Sequence, residues 1–285
     1  MKILITGAGG QVGKALQALA SAQGIEIVAY DRQSLDICDR SAVQEKISAS
    51  APHVVINAAA YTAVDKAEEE VEAAFSVNAK GAENLAMTCA ALDIPLLHIS
   101  TDFVFDGKKA GAYLEDDDIA PLNVYGRSKA EGEARVAAIA GKYIILRTAW
   151  VFGGAQNFVN TMLRLAESHR ELTIVDDQTG GPTAADDIAS VLFRIARKAT
   201  QPGFNDWGIF HFSGAPPMTW FGFAQMIFKG RKTPVLKPIP SDGYPVPAER
   251  PKNSVLDCTK IKRVFDIDQP DWRKALSGIL AEQKV

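Results

Sequence analysis

A chain of 285 residues, 47% hydrophobic and 23% charged, has room for one large domain or two closely joined ones and the composition of an ordinary globular protein. Its formal net charge of −3 excludes a basic surface for nucleic acid or an anionic membrane, and no apolar run is long enough to span a bilayer. Its three cysteines, Cys38, Cys89 and Cys258, are widely spaced, which argues for a reducing compartment such as the cytoplasm and against a disulfide framework or zinc site.

In chain order, Lys2–Thr6 reads as a first strand that runs straight into glycines, and not as a signal peptide. Gly7-Ala-Gly-Gly-Gln-Val-Gly13 follows, with Gly7, Gly10 and Gly13 three apart, and opens a helix over Val12–Ala22. Glycines there permit a tight turn and close helix–strand packing, and the helix N-terminus offers unpaired N–H groups to a pyrophosphate. A second strand, Glu26–Tyr30, ends at Asp31 and Arg32. An acid about twenty positions after the loop is placed to accept from ribose hydroxyls and would repel a ribose phosphate. Arg32 would instead pair with that phosphate, or is an exposed loop charge; mixed use of NADH and NADPH is expected. Asp36 and Ile37 are candidates to hydrogen bond to an adenine and to pack on it.

Further on, Ser41–Ala49 reads as a helix, His53–Asn57 as a strand, Val71–Leu92 as a helix and Leu96–Ser100 as a strand. Ala60, Tyr61 and Thr62 lie just past the third strand, where small residues let a flat cofactor approach the backbone or simply pack helix on sheet. Arg127–Ala140 reads as a helix and Tyr143–Arg147 as a strand. These strands are apolar enough for burial on both faces, as in a parallel sheet. Phe158–His169, Leu172–Val175, Ala184–Lys198 and Ile209–Phe212 continue as helix, strand, helix and strand, before prolines and loops dominate. A terminal helix starts near Asp271 and Trp272, and Trp220, Phe221, Phe223, Ile227 and Phe228 give the proline-rich quarter a core. His98 and His211 sit in apolar runs and read as core residues, and no histidine has metal-ligand spacing.

The expected architecture is α/β: a Rossmann-like doubly wound parallel sheet with a smaller, irregular C-terminal substrate lobe. Residues 1–153, with 173–212 returning to them, would form the NAD(P)-binding domain. Residues 154–172 and 213–285 would form the lobe, covering a ligand at the carboxyl edge of the sheet.

Tyr125 and Lys129 are four apart, so on a helix they share a face. A nearby cation favours the phenolate and lowers the tyrosine's pKa from its ordinary ~10, which makes the pair a candidate acid–base group. The spacing also suits a surface helix with a snorkelling lysine. Thr101, ending the fourth strand, is a second hydroxyl able to reach the same carbonyl oxygen.

Glycine loop, strand-end Ser/Thr and Tyr-x-x-x-Lys, in this order, resemble the short-chain dehydrogenase/reductase superfamily, and the long carboxyl half resembles its extended branch. Ser100-Thr-Asp-Phe-Val-Phe-Asp-Gly107, Pro121-Leu-Asn-Val-Tyr-Gly126, Arg147-Thr-Ala-Trp-Val-Phe152, Asp177-Gln-Thr-Gly-Gly-Pro-Thr183 and Arg250-Pro-Lys-Asn-Ser-Val-Leu256 are similar to the dTDP-4-dehydrorhamnose reductase family. That resemblance implies NADPH- or NADH-dependent reduction of the C4 keto group of dTDP-4-dehydro-β-L-rhamnose to dTDP-β-L-rhamnose. It implies a catalytic trio of Thr101, Tyr125 and Lys129, with Tyr125 as proton donor, Thr101 polarising the carbonyl and Lys129 lowering the tyrosine pKa and holding the nicotinamide ribose. Implied cofactor contacts are Gly10, Gln11, Val12, Asp31, Asp36, Ile37, Ala60, Tyr61 and Thr62. Implied sugar contacts are Thr101, Asp102 and Trp150, the indole face packing on sugar C–H groups, or Trp150 is an ordinary core aromatic. Arg250 is a candidate partner for the diphosphate.

Some members of the family dimerise through magnesium held by acidic side chains. Here one such position is Ala15, and Asp186 alone is a poor magnesium site, so a homodimer, if formed, is expected not to require magnesium. Related dehydratases follow the strand-end Thr-Asp with Glu; here the residue is Phe103, which cannot move a proton. A 4-epimerase, a 4-ketoreductase of a different sugar and a non-catalytic regulatory subunit, similar to that of methionine adenosyltransferase, stay open as alternatives.

Overall fold

Successive side chains of a strand point to opposite faces, and here both faces are covered. The computed structural model describes residues 1–282; residues 283–285, the end of the expected lobe, lie outside them. The first part of the chain runs β1 (Lys2–Thr6), α1 (Gln11–Gln23), β2 (Glu26–Tyr30), α2 (Arg40–Ser50), β3 (Val54–Asn57), α3 (Val64–Ala67), α4 (Val71–Phe75), α5 (Ala82–Ala91), β4 (Leu96–Thr101), α6 (Val124–Ile139) and β5 (Tyr143–Thr148). There follow β6 (Val151–Phe152), α7 (Phe158–Ser168), β7 (Glu171–Val175), β8 (Thr179–Gly180), β9 (Thr183–Ala184), α8 (Ala185–Ala199) and β10 (Gly208–His211). The last part contains β11 (Met218–Thr219), α9 (Trp220–Ile227), β12 (Val235–Ile239), α10 (Thr259–Phe265) and α11 (Trp272–Glu282).

Six strands form one parallel sheet in the order β10-β5-β4-β3-β1-β2. Ile3, Ile5, Val54, Ile56, Ile144 and Leu146 pack on one side with α1, α8 and α10. Leu4, Val55, Leu96 and Ile145 pack on the other with α2, α5 and α6. Each such buried aliphatic side chain contributes about 1.5–3 kcal/mol. The chain passes from β2 to β3 on the far side of β1, so the strand order reverses there and opens a crevice at the carboxyl ends of β1 and β3.

Three local expectations change. β2 is only half-buried; it is one of the two edge strands, with a neighbour on one side alone. The helix expected over Val71–Leu92 is one continuous run that widens to a π-helix at Ser76–Gly81, the kind of insertion that marks functional sites. The helix expected from Arg127 starts three residues earlier, at Val124, because Asn123 Oδ1 caps it by accepting from the Gly126 amide at 2.7 Å.

The expected domain boundaries also move. β7 does not return to the large sheet; it pairs in parallel with β12, and Leu172 and Ile174 join the lobe core with Phe223, Ile227 and Trp272. Phe152, expected in the first domain, packs in that lobe core, whereas Ile261 and Phe265 of α10, expected in the lobe, pack beside the large sheet.

Candidate active site

The site is built on the switch-point crevice. Gly7 adopts a left-handed φ of +73° and lies so close to the Ala58–Ala59 peptide that a Cβ would strike it. A Cβ on Gly13 would strike the Gly7 carbonyl oxygen. These contacts bring the start of α1 directly over β1, with Gly10 as an N-cap that has no side chain to cover the helix's first amides. Gly13→Ala should therefore push α1 off the loop. We expect at least a tenfold loss of NADPH affinity in a titration of cofactor fluorescence; unchanged affinity would count against the loop as the cradle.

A cavity of about 780 Å³ runs from this loop past Ala60 and Thr62 to Thr101, Tyr125, Lys129 and Trp150. Gln11 Oε1, Ser100 Oγ, Asp102 Oδ2 and Thr148 Oγ1 are buried with no hydrogen-bond partner, and all four residues line it. An unpaired buried polar atom costs about 1–3 kcal/mol, which a ligand's polar groups would relieve. The glycine cradle and these orphaned oxygens fit a dinucleotide.

At the adenosine end, Asp31 accepts from the amides of Gln33 and Ser34 and from the Ser34 hydroxyl at 2.7 Å, which holds its carboxyl below the usual range. All three bonds fall on Oδ1. Arg32 beside it is exposed. Asp36 is exposed and accepts from the Cys38 amide at 3.0 Å. Ile37 departs from expectation. It is 3% exposed, fills the notch that Gly81 leaves in the π-helix, and has little surface to offer an adenine.

Tyr61 is held away from the cavity's chemistry. Its hydroxyl donates to Glu70 at 2.7 Å, and that carboxylate pushes its pKa up to about 12. Its backbone is clamped by Asn78, which accepts from the Tyr61 amide at 2.8 Å and donates to the Tyr61 carbonyl at 3.0 Å. Asn78 also donates to Ser128 on α6 at 2.9 Å. The π-helix thus ties the loop after β3 to the helix of Tyr125. Sequence reading missed Asn78, and only its place within an apolar helical run could have marked it.

α6 approaches β4 closely because Gly126 has no Cβ to strike the Phe103 carbonyl. Thr101 and Tyr125 thereby face each other. Burial pushes the Tyr125 phenol up to about 12; the hydrogen bond with Thr101 pulls it down and the Asp102 carboxylate pushes it up. The expected effect of Lys129 on that phenol is not seen. One helical turn deeper, the Lys129 amine donates to the Ile99 carbonyl at 2.7 Å and lies 3.3 Å from His98 Nε2. Asn57 Oδ1 accepts from Thr6 and the Ala59 amide, which fixes its amide with Nδ2 toward His98 Nδ1 at 2.9 Å. His98 Nδ1 is therefore the acceptor and Nε2 carries the proton toward Lys129. Burial lowers Lys129 to about 8.

Trp150 also departs from expectation. Its φ of +47° is rare for a bulky residue, a strain of the kind that clusters at functional sites. One indole face stacks on Trp220 with centroids 3.5 Å apart and planes 5° apart, and Gly180 lies so close that a Cβ there would strike the ring. The face on Trp220 is not open to a sugar. Trp220, placed by α9 and unmarked by any motif, lines this cavity and a larger one of about 1360 Å³ under the lobe. Arg250 lines the larger cavity but is committed to Asp65 by two bonds, Nη1–Oδ1 at 2.9 Å and Nη2–Oδ2 at 2.7 Å. Lys108 and Lys252 are further cations there. Ala15 is buried against the core and Asp186, at the start of α8, is exposed.

Residues 1–285 match the family described as the RmlD substrate binding domain. The chain is 47% identical over 289 residues to a dTDP-4-dehydrorhamnose reductase of Aggregatibacter actinomycetemcomitans, covering 98% of both chains. It superposes on the crystal structure of a dTDP-4-dehydrorhamnose reductase from Clostridium acetobutylicum with a TM-score of 0.93, 38% identity and 100% of both chains covered. For the Bacillus anthracis reductase, solved in complex with NADP, the TM-score is 0.92 at 35% identity, with 99% of both chains covered.

Proposed function

The chain belongs to the RmlD substrate binding domain family, and from that premise we propose that it reduces the C4 keto group of dTDP-4-dehydro-β-L-rhamnose to give dTDP-β-L-rhamnose, using NADPH or NADH. One observation carries the reading: the phenol of Tyr125 and the strand-end hydroxyl of Thr101 face each other in the cavity that begins at the glycine loop. The nicotinamide, when bound, supplies the hydride for the carbonyl carbon.

Gly10, Gln11 and Val12 hold the pyrophosphate at the start of α1, with Asp31 and Asp36 toward the adenosine and Ala60 and Thr62 along the crevice wall. Lys14, which also lines the cavity, adds a cation beside the loop. Asp31 and Arg32 still act in opposite senses on a ribose phosphate, so both cofactors are accepted. Lys129 presents its amine to the nicotinamide ribose. Tyr125 gives its proton to the sugar's C4 oxygen, and Thr101 orients that oxygen. Phe103 packs edge-on against Tyr125, with centroids 5.5 Å apart, and brings no second acid–base group, which favours reduction over elimination. The larger cavity takes the nucleotide, with Lys108, Lys252 and Arg250 as cations for its diphosphate. The free cysteines suit a reducing cytoplasm, and no helix of the described residues is long and apolar enough to cross a membrane.

Purified protein, with no partner added, should oxidise NADPH stoichiometrically when given dTDP-4-dehydro-L-rhamnose, followed at the nicotinamide absorbance band. The UDP sugar run alongside reads the choice of base. Absence of oxidation with either sugar would sink the proposal.

A further inference from the structure

Thr101 has one hydrogen to give and two lone pairs to fill. Its hydroxyl donates to Asp102 Oδ1 at 2.9 Å and accepts from the Phe103 amide at 3.2 Å. The hydrogen is therefore spent inside the protein, and what Thr101 shows the cavity is a lone pair. A lone pair repels the oxygen of a substrate carbonyl. In this arrangement the Thr101 hydroxyl is not set to polarise a ketone.

Asp102 supplies the way out. Asp102 is 2% exposed, and its Oδ2, buried at the cavity wall, completes no hydrogen bond of good geometry, although the Ser254 hydroxyl faces the carboxyl. A buried carboxylate oxygen without a partner is costly when ionised and much less so when the group is neutral. If the carboxyl carries a proton on Oδ1, the bond to Thr101 reverses. Thr101 then accepts from Asp102 and from Phe103, both lone pairs are filled, and its hydrogen is free to point at the substrate.

Resting on the reductase reading above, we propose that Asp102 is a positioning residue that acts through Thr101: its neutral carboxyl turns the Thr101 hydroxyl from an acceptor into a donor toward the C4 carbonyl oxygen. The groups facing Asp102 are the hydroxyls of Thr101 and Ser254, the Phe103 amide and the Tyr125 phenol. Burial is the largest influence on its titration and raises it to about 6, against the pull of Ser254 and Thr101. Tyr125, near 12, stays protonated throughout this range, and Lys129, near 8, titrates above it.

The test is the pH profile of kcat between pH 5 and 7, with NADPH and keto-sugar saturating. A group titrating near 6 is about ten times more populated in its neutral form at pH 5 than at pH 7, so wild-type kcat should rise about tenfold as pH falls. Asp102→Asn, whose amide N–H donates permanently to Thr101, should lose the pH step, whatever the level of its kcat. Thr101→Val should be slow and flat. A flat wild-type profile, or an Asp102→Asn enzyme that keeps the step, would overturn the proposal. Infrared titration of the NADPH complex gives a readout that needs no turnover: a protonated-carboxyl band that grows as pH falls through 6 and is missing in Asp102→Asn. Wild-type protein inactive at all pH values would fail the reductase reading, and the infrared band would then decide the state of Asp102 by itself; its absence refutes the switch.

Discussion

Tyr125→Phe should lower kcat for the keto-sugar by about a hundredfold or more, the usual scale for a general acid, with NADPH binding unchanged. The variant removes only an oxygen and its proton. The ring remains to pack against Phe103, and Gly126 still lets α6 approach β4. The glycine loop lies on other elements and is untouched. Burial holds the phenol near 12, so the enzyme keeps it protonated at neutral pH, the form a reduction consumes. A base poised near neutrality would need the opposite shift, so the raised value suits the reductive direction. Stopped-flow turnover beside a cofactor titration checks the prediction. A phenylalanine variant with wild-type kcat would take Tyr125 out of the mechanism.

The parts of this site legible in the sequence are those fixed by local geometry. Three glycines at fixed spacing after a strand permit few other uses, and Gly7 and Gly13 sit where any side chain would collide with backbone. Thr101 and Tyr125 meet because strand end and helix start both lie at the carboxyl edge of one parallel sheet. What the sequence hides are choices among equivalent partners. Leu172–Val175 is as apolar as a central strand, and nothing in it says that its neighbour is β12 and not the large sheet. The i,i+4 rule places Lys129 on the face of Tyr125 but not its amine, which reaches the Ile99 carbonyl. A tryptophan face suits a sugar, yet the face of Trp150 suits Trp220 equally, and folding supplies Trp220 first. Asn78 and Glu133 sit in helices that look amphipathic, where a polar residue is ordinarily solvated; only the tertiary packing shows that they are 1% and 3% exposed.

Glu133→Leu is expected to cost about 3–5 kcal/mol of stability, the penalty for stranding one member of a buried ion pair. The Arg147 and Glu133 side chains are 2% and 4% exposed. Arg147 Nη2 reaches Glu133 Oε2 at 2.7 Å and Nε reaches Oε1 at 3.0 Å, and the guanidinium lies 5.0 Å from the Phe105 ring centroid. The other hydrogen-bonding neighbours of the guanidinium are neutral: Nη1 lies 3.4 Å from the Glu115 carbonyl and 3.4 Å from Nε2 of His211, an imidazole that could only add positive charge and that burial, and then the Arg147 charge, drive down to about 3. Leucine at 133 would thus leave a guanidinium in an apolar interior, and the melting temperature should fall by ~10 °C. The double variant Glu133→Leu with Arg147→Met removes both charges at similar volume and should recover most of the loss, since a packed apolar pair commonly equals a buried ion pair. Calorimetric melts of the two variants separate the explanations. If the double variant melts as low as the single one, the contribution is one of shape, and the charge pair is not what holds β5 to α6. Glu133 also supports the charge of Lys129, so both variants should weaken NADPH binding, and that loss should persist in the double variant although its melting temperature recovers.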